Sequence, residues 1–499
     1  MENVLPTAMH RRINLLNSLH LTTNWISLDE LAEKLDASKK TILTDVQYIE
    51  DRWPEIISFE YQNNNSIRLL ETQNHSIHDI YTEILRESNA FALLEAIFFN
   101  PYENGEYWEN KFYLSNSSLY RLAIKLEGSL NKREMQLNRT PFRIEGNDER
   151  KIRTFFRGYF LEAYGIHGWP FPIDRQLVFD LVNRLNQDFN LGFNDLQLVD
   201  FAFGIAVTII RERQGNLVNQ DARVMNNREE VQTKLQQYRL DIERIVEPLK
   251  VHLPDNWYDD FSSTIYWWEF AWDNPQEEVR ITEQGETFIK TVVDALGVSL
   301  DQESHQKILR LFLRTYGKYK IYPYKRYIIY NRRWFSSYIV QQHLVVFSKI
   351  VAKALQELEA KTKVPWYSVY YDDMLCGMMV YWQDLANKMD QLRHQVQVGV
   401  FSDLGVDHVN AVGSMLARSY GDKINLNLQD VSHYGLAETK LANYEIYVAN
   451  YTMPDVPAEK LFVIEDIPSF KNLNDLRQLI EKSRLVLPKD IPYLQEKNQ

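Results

Sequence analysis

Two short stretches carry side chains suited to reading and gripping a nucleic acid. Ser38-Lys39-Lys40-Thr41, with Thr44 just beyond, puts small hydroxyls beside two cations. Ser115-Asn116-Ser117-Ser118 repeats the theme and is followed by Tyr120, Arg121 and Lys125. Hydroxyl and amide groups hydrogen-bond base edges, whereas lysine and arginine neutralise phosphates. Each stretch opens on a serine of the kind that caps a helix. The chemistry implied is contact with duplex DNA by the first turns of a helix lying in the major groove. Ser115 matches Ser38, Ser118 matches Thr41, Leu119 matches Ile42 and Leu126 matches Ile49, so the second stretch repeats the first.

Such helices need a frame. Met9 to Leu21 places Ile13, Leu16, Leu19 and His20 at helical spacing. Arg11 and Arg12 lie on another face, and both are expected to face DNA. Ser27-Leu-Asp-Glu30 is a capping box in front of a second helix. After the turn Asp36-Ala-Ser38, a third helix runs from Lys39 to about Arg52 with Ile42, Val46 and Ile49 as its apolar stripe. Ile56 to Tyr61 and Ser66 to Leu70 read as two strands joined by an Asn-rich turn, a wing. Residues 1–72 are therefore expected to form one winged helix-turn-helix. Helices at Ile77–Glu87 and Ala90–Asn100, the Ser115-headed helix and a hairpin within Met135–Gly146 predict a second over 73–160.

Beyond these modules the pattern is helical from about Asp174 to Trp382. Helices are expected at Arg175–Leu185, Asp195–Glu212, Val231–Val251, Gly285–Leu296, Gln302–Tyr316 and Ser336–Glu359. Pro254 with Trp257 and Asp259-Asp260 precedes an aromatic helix ending near Trp268. Pro365-Trp366 with Asp372-Asp373 precedes another ending near Trp382. This duplication predicts two all-helical units, 161–280 and 281–392. The stretch Tyr316–Tyr330, with Lys318, Lys320, Lys325 and Arg326 and then Arg332-Arg333, reads as a solvated loop between helices. A surface for an acidic partner or nucleic acid is the alternative. Over 393–499, strands at Val396–Phe401, Ile424–Leu428, Tyr444–Ala449 and Lys460–Ile464 alternate with helices at Val409–Tyr420, Leu436–Leu441 and Leu473–Ser483. That order predicts a small parallel α/β sheet.

With 499 residues, 45% apolar content and a net charge of −12, the chain can fill several cores but cannot bind polyanions indiscriminately. DNA binding is left to local modules. The single cysteine, Cys376, excludes a disulfide framework and a Cys-rich zinc site, and reads as a small buried apolar residue. The apolar run Val199–Ile210 is short and contains Asp200, which suits a buried helix and not a membrane span. The start, Met1-Glu-Asn-Val-Leu-Pro6, has no signal-peptide pattern, so a cytoplasmic location is expected. Phosphate-loop, His-Glu-x-x-His and Gly-x-Ser-x-Gly motifs are missing, and adjacent carboxylates such as Asp372/Asp373 point apart on a helix. Catalysis, metal and cofactor are not expected.

Leu114-Ser-x-Ser-Ser-Leu-Tyr-Arg121, followed by Phe142-Arg-Ile-Glu-Gly146-Asn-Asp-Glu149-Arg-Lys-Ile-Arg153 and Phe155-Phe156, resembles the Mga/AtxA-type virulence regulators of Gram-positive bacteria. The resemblance runs through nearly the whole chain. It implies two N-terminal DNA-binding modules, two phosphotransferase-regulated helical domains (PRDs) and a C-terminal domain like the sugar-transport component EIIB. Histidines in such PRDs accept phosphate from a phosphocarrier. The matching positions here are Gly204, Trp267 and Val380, none of them histidine. His305, then His343, with His252 and His167, are the remaining regulatory candidates. The loop Phe401–Gly405 lacks the phosphocysteine of an active EIIB domain, which leaves dimerisation or ligand sensing. The function implied is a homodimeric or higher-order activator of virulence or carbohydrate-linked genes, working on promoter DNA away from membranes. A phosphocarrier-responsive scaffold without DNA binding is the alternative. An RNA-binding antiterminator would open on a β-domain, which the helix-rich start contradicts.

Overall fold

The computed structural model describes residues 1–495 except 23, 64, 73, 219–232, 251–252, 254–256, 258–260, 262–271, 392, 430–442 and 485–490. The chain divides into two compact units, one of residues 1–290, 305–343 and 354–381, the other of 291–304, 344–353 and 382–499.

In the first unit, α1 (Thr7–Leu19), α2 (Leu28–Lys34) and α3 (Lys39–Arg52) form a three-helix set. Ile13, Leu16 and Leu19 are buried in one core with Leu28, Leu31, Ile42, Val46 and Ile49. Strand β1 (Ile26–Ser27) pairs with β3 (Ser66–Glu71), which also pairs with β2 (Ile57–Gln62). All pairings are antiparallel, with Phe59 opposite Leu69 and Tyr61 opposite Ile67. Ile57, Phe59, Ile67 and Leu69 turn inward with the two-residue period of a half-buried sheet. The expected helices and wing are all present.

The second module contains α4 (Ile77–Glu87), α5 (Asn89–Phe99), α6 (Gly105–Phe112), α7 (Asn116–Asn131) and the hairpin β4 (Met135–Arg139) and β5 (Phe142–Gly146). It continues directly into α8 (Glu149–Tyr164), which buries Ile152, Phe155, Phe156, Tyr159 and Phe160. The sequence pattern missed α6, whose one fully buried side chain is Trp108, and it missed α8 as a helix. The limit expected at residue 160 falls inside α8, and the limit expected at 280 falls inside the helix Pro275–Leu296.

Next come α9 (Arg175–Asp188) and α10 (Asp195–Arg213). Every residue from Val199 to Arg211 on α10 is buried, Asp200 included. Asp200 accepts from Arg157 Nε of α8 at 2.8 Å and from Arg326 Nη2 at 2.9 Å. Arg211 closes the other end of the same helix pair, 2.7 Å from each carboxylate oxygen of Glu149. Such pairs gain little over an apolar packing but are costly to break, because the survivor is a buried charge. The two arginines hold the Asp200 carboxyl well below the usual range against the opposing effect of its burial.

Beyond α10, the helix expected at Val231–Val251 is described as Arg239–Val246. Helices follow at Pro275–Leu296, Gln302–Ile321 and Tyr371–Tyr381. The single helix expected at Ser336–Glu359 is instead two, Arg332–His343 and Val345–Thr362, with neither Pro nor Gly at the junction to mark it. His252, Asp259, Asp260 and the aromatic helix ending near Trp268 lie outside the described residues.

Tyr316–Tyr330 is not a solvated loop. Its first part ends the helix Gln302–Ile321, and Tyr322, Ile328, Ile329 and Tyr330 are buried. The Glu162 carboxylate of α8 accepts the backbone N–H groups of Ile328 (2.6 Å), Ile329 (2.8 Å) and Tyr330 (2.8 Å). The Met1 amine donates to the Ile328 carbonyl at 3.0 Å. At Gly158 of α8 a Cβ would stand 2.9 Å from the Arg326 carbonyl, so only glycine lets this segment lie so close.

In the second unit, β6 (Val396–Phe401), β7 (Ile424–Leu428), β8 (Ile446–Ala449) and β9 (Leu461–Val463) form a parallel sheet in the order β7-β6-β8-β9. Val396, Val398 and Val400 pack on one face with Val409, Val412 and Leu416 of the helix Val406–Tyr420 and with Leu476 and Ile480 of the helix Phe470–Ser483. Phe401, Tyr444 and Tyr447 form a smaller cluster on the other face. The expected helix Leu436–Leu441 lies outside the described residues. Among the described residues, no helix is long and apolar enough to cross a membrane.

Candidate nucleic-acid interface

Ser38 precedes α3 with extended backbone (φ −70°, ψ 151°), and its Oγ accepts the Thr41 N–H at 3.1 Å. Ser115 precedes α7 with φ −71° and ψ 154°, and its Oγ accepts the Ser118 N–H at 3.3 Å. Each serine satisfies a backbone donor that the first turn would otherwise leave open. Four, eight and eleven residues after the cap, Ile42, Val46 and Ile49 are buried on α3, as are Leu119, Ala123 and Leu126 on α7. The same register therefore turns the same face of both helices outward.

On α3 that face presents Lys40, Thr44 and Gln47. Thr44 Oγ1 donates back to the Lys40 carbonyl at 2.9 Å, which fixes its rotamer. Lys39 is also exposed, but its Nζ bridges Asp29 of α2 at 2.7 Å and Asn65 of the wing turn at 3.1 Å. Lys39 thus ties the helix start to the wing, and its hydrogen bond holds the Asp29 carboxyl below the ordinary value. On α7, Asn116, Ser117, Tyr120, Arg121 and Lys125 are exposed, and Ser118 is half-buried at the cap. Asn116 Nδ2 donates to Glu109 of α6 at 2.8 Å, and Arg121 Nε donates to the Ser117 carbonyl at 3.2 Å.

Arg11 and Arg12 stand elsewhere. Both donate to Asp45, a carboxylate buried in the α3 stripe, at 2.5 and 2.9 Å. The Arg12 guanidinium also lies 3.4 Å from the centre of the Tyr48 ring. They brace α1 against the back of α3, and contact with a phosphate would require leaving Asp45. The sequence offered one signal of this, an aspartate among the apolar positions of that helix. Sequence reasoning also missed Arg139 of the second hairpin, whose guanidinium sits 5.0 Å from the Tyr120 ring centre, beside the exposed face of α7.

The histidine candidates are scattered. His305 Nε2 is 2.8 Å from Glu286, His343 is exposed at the end of its helix, and His167 is exposed just after α8. Gly204, where the resemblance placed an acceptor, is packed by Arg157, whose Cδ would stand 3.2 Å from a Cβ there. Among the described residues, no cluster of three or more His, Cys, Asp or Glu is arranged to hold a metal. Burial pushes the Cys376 thiol up to about 12, which makes it a poor nucleophile.

Comparison with known proteins bears on both serine-headed helices. Residues 7–65 match the M protein trans-acting positive regulator (MGA) helix-turn-helix domain, and residues 73–160 match the Mga helix-turn-helix domain. The chain carries both helix-turn-helix domains of the Mga family. A trans-acting regulator of Streptococcus pneumoniae serotype 4 is 33% identical over 172 residues, 34% of either chain. The capsule synthesis positive regulator AcpA of Bacillus anthracis is 28% identical over 209 residues, 42% of this chain and 43% of its own. The anthrax toxin expression trans-acting positive regulator of the same organism is 24% identical over 210 residues, 42% of this chain and 44% of its own. The match to these Mga-type relatives thus spans less than half of their length.

Proposed function

We propose that this Mga-family chain is a sequence-specific DNA-binding transcriptional regulator that activates its target genes. The observation that carries the reading is the pair of serine-capped helices with one shared register, each turning hydroxyls, amides and cations outward within a family-matched segment. Lys40, Thr41, Thr44, Ser117, Tyr120, Arg121 and Lys125 are the residues assigned to DNA, with Lys39 and Asn116 positioning the helix starts. Activation, and control of virulence genes, draw support from relatives named as positive regulators of capsule and toxin expression.

In the same proposal, the helical spans 161–280 and 281–392 are PRD-like regulatory domains. His305 and His343 are their candidate acceptors from a phosphocarrier. The parallel sheet over 393–499 is an EIIB-like domain used for homodimer or higher assembly in the cytoplasm. The described parallel four-stranded order supports the α/β fold of that domain.

The test is promoter-DNA binding across a range of salt concentrations. Affinity should fall with log salt. Lys39→Ala/Lys40→Ala and Arg121→Ala should each weaken binding and flatten the slope by about 0.9 for every phosphate no longer neutralised. Binding that ignores both the substitutions and the salt would refute the interface. Capture of a phosphocarrier without any promoter binding would favour the scaffold instead.

A further inference from the structure

A cavity of about 620 Å³ opens in the first unit between α8, the end of the helix Gln302–Ile321 and the segment after it. Its volume falls in the range of small-ligand sites. Most charges in its wall are already engaged. Asp200 is held by Arg157 and Arg326, Glu162 by three backbone N–H groups, Asp373 by Arg333 at 3.4 Å, and Arg314 by the Leu191 carbonyl at 2.7 Å. Asp79 is drawn into the cap of α4 by the Ser76 N–H.

Four charged groups of the lining make no side-chain hydrogen bond or ion pair among the described residues: the cations Lys318, Lys325 and Arg332, and the carboxylate Asp372. Counting every carboxylate and cation, the lining holds Arg314, Lys318, Lys325, Arg326, Arg332 and Arg333 against Asp79, Glu162, Asp200, Asp372 and Asp373, and Arg157 behind Asp200 brings the excess to two positive charges. Arg326 adds a buried Nε–H with no acceptor. Lys318 is the most telling of these groups, because it stands deep enough that burial pulls its ammonium down to about 8. Asp373 and Asp200 attract it from a distance without forming an ion pair, and a cation held at such depth without a direct partner favours an anion that joins it. The remaining wall mixes aromatic residues, among them Tyr164, Tyr324, Tyr370 and Phe193, with polar ones that include His78, His167 and Asn331.

We propose that this cavity is a binding site for a small phosphate monoester, its dianionic head set between Lys318, Lys325 and Arg332 and its ring or apolar body against the tyrosines. A monoester carries close to two negative charges at neutral pH, which matches the excess, whereas a simple carboxylate supplies one. Lysine meets a phosphate as a point charge and arginine meets it as a fork, so both types suit the head. The site is independent of the DNA reading: a chain that binds no promoter can still hold this ligand.

Calorimetry on the full chain with phenyl phosphate and with inorganic phosphate tests the assignment. Phenyl phosphate should bind once per chain and more tightly than inorganic phosphate. Lys318→Met should weaken it about ten-fold or more, and the exposed pair Lys325→Gln/Arg332→Gln should weaken it several-fold without touching the core. Lys318→Arg, which restores the charge, should recover much of the affinity, and a loss that it does not repair would count against the proposal. Phenyl phosphate that fails to bind at millimolar concentration, binds equally well to all variants, or is displaced by a short DNA duplex would overturn the proposal.

Discussion

Seven residues after its capping serine, α3 carries Asp45, whereas α7 carries Leu122 at the same place. Asp45 is buried and gathers Arg11 and Arg12 from α1, so the first serine-headed helix is held by a carboxylate inside its own module. Leu122 is half-buried in an apolar setting, and the second module is instead locked to a helix beyond its own limits. Its α8 meets α10 through Glu149–Arg211 and Arg157–Asp200. One cap-and-stripe design therefore sits in two mechanical contexts. The first helix is fastened to α1 by Asp45 and at its far end to α4 by Arg52, which donates to Glu83 at 2.7 Å, while the second belongs to a continuous body that includes the phosphate cavity proposed above. Disturbing Asp45 should stay within the first module, and disturbing the α8–α10 pairs should spread.

Substitutions can break this comparison. Asp200→Ala leaves two arginines without their carboxylate, Arg157 fully buried, and should cost about 4 kcal/mol in denaturant unfolding. A transition confined to residues 175–213, leaving the second module intact by hydrogen exchange, would contradict the continuous body. Glu162 sharpens the same seam through pH, because burial raises its carboxyl from 4.5 to about 7 against the pull of three N–H groups. The folded protein then binds the proton more tightly than the unfolded chain. This group's contribution is complete below about pH 4.5 and is lost as pH rises through about 7. Wild type should lose about 3 kcal/mol relative to Glu162→Gln across that window in stability titrations. Parallel curves would remove the effect.

Asp45→Ala should cost less, about 2 kcal/mol, because Arg11 and Arg12 keep some access to water. Its loss should appear as faster exchange in residues 7–52, with α7 unchanged. Ser38→Ala and Ser115→Ala should be the mildest, about 1 kcal/mol each in thermal melts. Clearly unequal costs would show that the two caps are not equivalent.

Much of this frame was legible in local pattern. The caps at Ser27, Ser38 and Ser115, the apolar stripes and the strand alternation of the first wing all act within a few residues. Their signal survives without tertiary context. The β-strands of the C-terminal sheet were legible for the same reason. The segment after Tyr316 was misread because its lysines and arginines look like a surface loop. It is buried because Glu162 and Asp200, far away in sequence, satisfy its backbone and Arg326. Arg11 and Arg12 look like phosphate contacts until Asp45 stands opposite them. Asp200 registered only as an interruption in an apolar run.

By itself, the order of residues determined where helices begin, which side of each is apolar and that the recognition pattern occurs twice. Those properties follow from hydrogen bonds and side-chain periods spanning one to four residues. Tertiary structure alone decided which charges are free to meet a ligand and which are already paired. A charged side chain's partner is chosen by proximity in space, and the pairs that matter here join residues 10 to 168 positions apart.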